Sequence, residues 1–498
     1  MPSERRTLFP RTSGFAWLLL ILAVALAVRL WNRDAGVPYA VGIDEPQVVD
    51  RAIRILHSGD WNTHLFDYPT LVIYLHAVVS IVRFLWGALG GEWASLDGFT
   101  VTAIYGAGRF TAAVIGTATV WILYRLGVDL GSRRLGLLAA AQLAVFPQHV
   151  RESHFILTDV PTTALTTLAM WLTVRAARLR SIRAYAAAAL VCGLAAAAKY
   201  TGGVALVAPI TAWLLHERSS PDRWKTAGAI VAAAAFGFFI GAPYSLLDMP
   251  SFLDGFAAQF ARFAQPVNGS EPAWRLYLKH LSPAWESVSI PLALAGIILL
   301  LRRATWMTAL PVVVFSFAYF YVLSSHSHVF GRYALPLIPM LCLFIAAAVS
   351  YALDVAWRVA PLARPGVRPA VVAILIALLV WAPAARTLAW LNLLGRRDTR
   401  AIAADWLAQN TPKGTRLAVE NSGPTYLDRA GFRIAASELL IDHPLDWYRE
   451  RVDYLVISAA DLGRYGDYVN AGPTVFQIAP TPQRWGPPIL IVKVASSR

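Results

Sequence analysis

The chain has little charge and almost no cysteine. Only 15% of its 498 residues are charged, against 57% hydrophobic, and the mean hydropathy is +0.51. A soluble domain of that composition has too little polar surface to cover its apolar residues. Those residues also run in long stretches instead of alternating with polar ones, which excludes an ordinary globular protein and points to the membrane. The two cysteines, Cys192 and Cys342, lie far apart in apolar stretches. That excludes a disulfide framework or a cysteine metal site and leaves them as packing residues. No internal repeat stands out, which counts against the duplicated halves of a transporter. A cleavage site is missing too. Arg29-Leu30-Trp31-Asn32-Arg33 closes the first apolar stretch, so that stretch reads as an uncleaved span with a cytoplasmic N-terminus.

What is present supports the same class. The 18 Trp and 18 Tyr suit a protein with many residues at water–lipid boundaries. The net charge of +14 does not indicate nucleic acid, because the basic residues form short clusters between apolar stretches and no single patch. The expected architecture is an α-helical polytopic membrane protein of about eleven spans. They fall near 14–31, 106–126, 134–150, 158–175, 184–199, 200–216, 226–243, 287–301, 306–323, 334–353 and 368–386. Clusters such as Arg175, Arg178, Arg180 and Arg183 then lie on the cytoplasmic side. Tyr68–Trp86 is apolar enough to span, but a span there would invert every later loop, and it carries His76 and Arg83. It is expected as a juxtamembrane or re-entrant helix in the first outer loop. From about residue 390 the character changes, giving expected domains 1–389 and 390–498. A helix over Asp398–Asn410 is followed by strand-like runs at Arg416–Glu420, Asp453–Ser458, Thr474–Ile478 and Pro488–Val494, a small extracytoplasmic α/β domain.

Several polar clusters could carry chemistry at the outer surface. The first loop holds Asp44-Glu45 and then Asp67-Tyr68-Pro69. Adjacent carboxylates near a membrane suit a general base, and equally suit capping of a helix that starts after Pro46. Asp159, in Arg151–Pro161, either caps the next span or joins those acids. Lys199 either snorkels to the interface or meets an anionic head group. Arg332, followed by Tyr333, either faces lipid head groups or binds phosphate through two hydrogen bonds. His326 and His328 invite a metal, but two histidines without a neighbouring carboxylate fall short of a site. No metal ligand is assigned, and a divalent metal is left open as a cofactor.

Taken in order, Gly42–Gln47, Asp67–Leu71, Arg151–Pro161, Ala198-Lys199-Tyr200 and Arg332–Pro339 resemble the C-type membrane glycosyltransferases. The resemblance is to the family 39-like enzymes, which include protein O-mannosyltransferases and the aminoarabinose transferase of lipid A. It covers about residues 14–386 and implies a polyprenyl-phosphate-sugar donor and a protein, lipid or glycan acceptor. Sugar transfer would occur on the outer face of the inner (plasma) membrane with inversion. It implies Asp44 as catalytic base with Glu45 beside it. Asp159, Arg332, Tyr333, Lys199, Asp67 and His328 would bind substrate. The chain departs from many relatives at Pro69-Thr70, where they have two prolines, and at Tyr68, where some are basic. More of the phosphate contact then falls to Arg332 and Lys199. The alternative from another class is a lipid-linked sugar flippase.

Overall fold

Apolar runs with helical spacing and few breakers dictate helices through most of the chain, and the breaks fall where proline or glycine intervenes. The computed structural model describes residues 11–264, 271–282, 288–325, 329–358, 367–458 and 462–494. In chain order the helices begin with α1 (Arg11–Leu30), α2 (Glu45–Ser58), α3 (Leu71–Leu89), α4 (Val101–Leu130) and α5 (Arg133–Ala144). Then come α6 (Pro147–Glu152), α7 (Asp159–Leu179), α8 (Ile182–Ala198), α9 (Val207–His216) and α10 (Arg223–Gly241). They continue with α11 (Tyr244–Leu247), α12 (Met249–Ala264), α13 (Ala273–Leu281), α14 (Ser289–Leu301), α15 (Trp306–Ser324), α16 (Ile338–Ala356) and α17 (Arg368–Leu394).

Six of the described helices are long and apolar enough to cross a membrane, and four shorter apolar ones join them. Leu71–Leu89, expected at the surface, is among the six by length and composition. The expected span 134–150 is instead two helices, because Pro147 draws Phe146 into an extended conformation (φ −69°, ψ 119°) and ends α5 early. The helices differ sharply in surroundings. Of the apolar window containing α16, 94% is packed inside protein, against 17% for α17. Side chains such as Ile374, Leu378 and Trp381 on α17 are exposed and require lipid as their solvent.

The chain divides into two compact units. The first comprises Met1–Trp31, Arg51–Ile81 and Gly108–Leu388, the second Asn32–Asp50, Val82–Ala107 and Ala389–Arg498. In the first, α8 and α10 pack backbone to backbone, as their small residues allow. A Cβ on Gly193 would lie 2.0 Å from the Ala234 carbonyl oxygen, and one on Gly237 would lie 2.2 Å from that of Leu190.

The second unit contains α18 (Thr399–Asn410), β1 (Arg416–Glu420), β2 (Arg433–Glu438), α19 (Leu445–Arg451), β3 (Tyr454–Ile457), α20 (Gly466–Val469), β4 (Thr474–Ile478) and β5 (Ile489–Lys493). The sheet order is β2-β1-β3-β5-β4, with β1 parallel to both neighbours and β5 antiparallel to both of its own. α18 starts where expected, its N-cap Asp398 accepting a hydrogen bond from Arg400 N. One side of the sheet buries Leu417, Val419, Val456 and Ile491 with Leu407 of α18, and the other buries Ala418, Leu455, Leu490 and Val492 with Tyr448. This double-sided burial explains why β1, β3 and β5 read as continuous apolar runs.

Candidate functional site

Two interruptions of the helices place the charged groups of the first unit. α8 stops at Lys199, whose backbone is extended (φ −159°, ψ 132°), and a 3-10 stretch, Tyr200–Leu206, leads into α9. Gly202 permits the close return, since a Cβ there would lie 2.2 Å from the Ala195 carbonyl oxygen. A second 3-10 stretch, Gly331–Leu337, precedes α16 and carries Arg332 and Tyr333. Interrupted backbone at membrane depth is tolerated where it is buried in protein or lines a cavity, and 3-10 turns often mark function.

Both interruptions converge on Asp159, the first residue of α7, whose side chain is 4% exposed. Lys199 Nζ donates to Asp159 Oδ1 at 2.6 Å, and Arg332 Nε lies 3.9 Å from Oδ2. Lys199 Nζ also sits 3.9 Å from the centre of the Tyr333 ring, and the Arg332 guanidinium lies 5.7 Å from it. The aromatic face therefore steadies both cations. The Tyr319 hydroxyl, 3.2 Å from the Thr201 hydroxyl, donates to the Tyr333 carbonyl oxygen at 3.4 Å, so one α15 residue ties the two 3-10 stretches together. Glu152, at the end of α6, is buried, with Arg151 Nε at 3.7 Å. Burial pushes its carboxyl up to about 7. Asp159 adds to the rise, while Arg151, Arg332 and Lys199 oppose it.

Lys199 and Tyr333 line an open groove with Asp67, Tyr68, Pro69, Tyr200, Thr201, Gln259, Phe260, Tyr277 and Leu323. The Asp67–Pro69 wall is pinned from both sides. The Tyr200 hydroxyl donates to the Phe66 carbonyl oxygen at 2.8 Å, and the Thr70 hydroxyl to that of Gly241 at 3.2 Å. Two cations share one carboxylate here, and near neutral pH Glu152 is only partly ionised. Lys199 and Arg332 thus gather beside mostly aromatic and apolar walls, a setting that suits an anionic group attached to an apolar body.

Asp44 and Glu45 belong to the second unit. Glu45 opens α2 with a fully buried side chain, and its Oε2 accepts a hydrogen bond from Gly42 N at 2.7 Å. Glu45 N donates in turn to the Gly42 carbonyl oxygen at 3.0 Å, closing a turn at the start of α2. Asp44 is half-buried. His326 and His328 lie outside the described residues. Among the described residues, no group of three or more His, Cys, Asp or Glu is placed to hold a metal.

Comparison with known proteins bears on the fold. Residues 98–246 match the family model of the dolichyl-phosphate-mannose-protein mannosyltransferases. No curated protein matches the chain by sequence. Among solved structures, apo ArnT from Cupriavidus metallidurans is similar with a TM-score of 0.62 at 15% identity, over 96% of this chain and 98% of that one. The apo oligosaccharyltransferase of Archaeoglobus fulgidus is similar with a TM-score of 0.62 at 13% identity, over 91% and 70%. The chain has the fold of the C-type membrane glycosyltransferases. Related structures with that fold hold polyprenyl phosphates. ArnT has been solved with undecaprenyl phosphate (TM-score 0.59, 16% identity, 96% and 98% covered). The archaeal enzyme has been solved with an inhibitory peptide and a dolichol-phosphate (TM-score 0.59, 13% identity, 91% and 70%).

Within this C-type fold the structure gathers Asp159, Lys199, Arg332, Tyr333 and Asp67, which lie up to 266 positions apart, around one groove. Sequence reasoning passed over Glu152, Tyr277, Gln259 and Tyr319. Glu152 had a signal, since a carboxylate in the same outer turn as Asp159 invites the same question. The other three sit in apolar or amphipathic helices, where nothing local separates them from packing residues.

Proposed function

We propose that the chain is a membrane glycosyltransferase that moves a sugar from a polyprenyl-phosphate donor to an acceptor hydroxyl on the extracytoplasmic side. The observation that carries this reading is the convergence of Lys199 and Arg332 on Asp159 beside an aromatic groove. That arrangement suits a phosphate joined to a hydrocarbon chain, and the polyprenyl phosphates held by structures of the same fold support the donor class. In the proposed step, the acceptor oxygen attacks the anomeric carbon as the bond to the phosphate oxygen breaks, inverting that carbon. Asp44 takes the acceptor proton, and Lys199 and Arg332 stabilise the departing phosphate. The phosphate leaves readily once stabilised, so no general acid is needed. Glu45, engaged with the Gly42 amide, shapes the loop around Asp44.

Purified protein tests the reading in two arms. Lys199→Met and Arg332→Ala should each weaken undecaprenyl phosphate binding by about tenfold or more, given the usual worth of a charged hydrogen bond. Asp44→Asn should bind it normally yet fail to transfer radiolabelled sugar from a polyprenyl-phosphate donor. Unchanged binding in the first pair would overturn the donor site, and normal transfer by Asp44→Asn would overturn the base.

A further inference from the structure

We infer that Thr425, Tyr426 and Arg400 are positioning residues that hold the Asp44–Glu45 loop in its working shape. The C-terminal α/β fold would thus serve as the scaffold of the proposed base. The inference rests on the reading of Asp44 given above, but its evidence lies within the second unit alone.

The segment leading to Asp44 has little regular structure of its own. Asn32 (φ 52°) and Gly36 (φ 76°) take left-handed conformations. A Cβ on Gly36 would lie 2.4 Å from the Ala40 carbonyl oxygen, so only glycine fits this turn. Its carbonyl groups are instead claimed from far along the chain. The Thr425 hydroxyl donates to the Pro38 carbonyl oxygen at 2.7 Å, and Thr425 N to that of Tyr39 at 3.0 Å. Arg400 Nη1 donates to the Val41 carbonyl oxygen at 2.8 Å. Arg400 is held in turn by Asp398 through two parallel hydrogen bonds of 3.0 and 2.9 Å, and both residues are buried. Three of the four carbonyls from Pro38 to Val41 thus end on C-terminal residues, immediately before Gly42-Ile43-Asp44-Glu45.

The far side of the loop is held in the same way. The Tyr426 hydroxyl donates to Asp50 Oδ1 at 2.8 Å, in the second turn of α2, and lies 3.0 Å from the Tyr105 hydroxyl. Tyr426 makes this contact from a left-handed backbone (φ 52°), unfavourable for a bulky residue and retained only where surrounding contacts impose it. Thr425 and Tyr426 lie in the loop after β1, five and six residues beyond Glu420, so this loop grips the segment before Asp44 and the start of the helix after it.

The test combines kinetics with hydrogen–deuterium exchange on the full-length protein in detergent. Tyr426→Phe keeps the edge-to-face contact with Tyr105, at 5.9 Å between ring centres, and removes the hydroxyl. It should lower kcat tenfold or more, leave undecaprenyl phosphate binding unchanged, and speed exchange of the Gly42–Glu45 amides without touching the β-strands. Arg400→Met should behave alike, and Arg400→Lys should recover part of the loss. A purely structural role predicts a lower Tm and weaker donor binding, with no selective change at the loop. Unchanged exchange and unchanged kcat in Tyr426→Phe would overturn the inference. Normal transfer by Asp44→Asn with altered exchange in Tyr426→Phe would remove the base assignment and leave the scaffold standing.

Discussion

Two buried carboxylates open helices in this protein, and they are satisfied in opposite ways. Glu45 starts α2 and accepts a hydrogen bond from three residues away, from the Gly42 amide. Asp159 starts α7 and is satisfied by Lys199 and Arg332, 40 and 173 positions further on. Both positions gain from the positive end of the helix dipole. Asp159 commits cations from distant segments to one spot, and that is where the groove lies. A cap stabilises a helix end locally, whereas a long-range charge cluster spends folding energy on a site.

The comparison can be broken experimentally. Lys199→Met leaves Asp159 buried with Arg332 alone at 3.9 Å, and the loss should be about 3–5 kcal/mol of unfolding free energy, as for other buried pairs missing one partner. Chemical denaturation in detergent would read it, and adding Asp159→Asn should return much of the loss. Glu152→Gln comes next. In the folded chain this carboxyl ionises near pH 7, well above its ordinary value near 4.5, so it costs stability as pH rises from 4.5 through 7 and costs nothing below that range. The substitution should raise stability at pH 8 by on the order of 3 kcal/mol, with no effect at pH 4, read as Tm against pH. The phosphate headgroup itself gains charge between pH 6 and 8, so the two proteins are compared at each pH: Glu152→Gln should bind undecaprenyl phosphate more tightly than the parent at pH 8 and equally at pH 5. The smallest effect belongs to Glu45→Ala, about 1 kcal/mol from the lost cap, with faster exchange confined to the start of α2. A loss as large as that of Lys199→Met would erase the distinction between the two carboxylates.

The same distinction sets what the sequence discloses. Capping and strand periodicity are local, so the α18 start at Asp398 and the runs Arg416–Glu420 and Thr474–Ile478 are legible residue for residue. β2 is not. It is an edge strand with Ile434 as its single large apolar residue, and its ladder to β1 depends on tertiary pairing. The break at Phe146-Pro147 was legible from proline chemistry, yet it lies inside a stretch whose length suggests one span. Within the site, residue types at the outer turns mark Asp159, Lys199 and Arg332 singly, and the resemblance groups them. Their distances, and the burial that shifts Glu152, arise from helix packing across tens to hundreds of positions, which no local pattern encodes.

The grip of Thr425, Tyr426 and Arg400 on the loop near Asp44 has a consequence for biogenesis. Synthesis delivers the segment around Asp44 early and the residues that hold its flanks late, after every apolar helix of the first unit. Until α18 and Thr425 emerge, the carbonyls of Pro38, Tyr39 and Val41 lack the donors that hold them in the finished fold. Membrane insertion therefore precedes completion of the second unit, and a truncated product carries the acidic pair without the scaffold that shapes it.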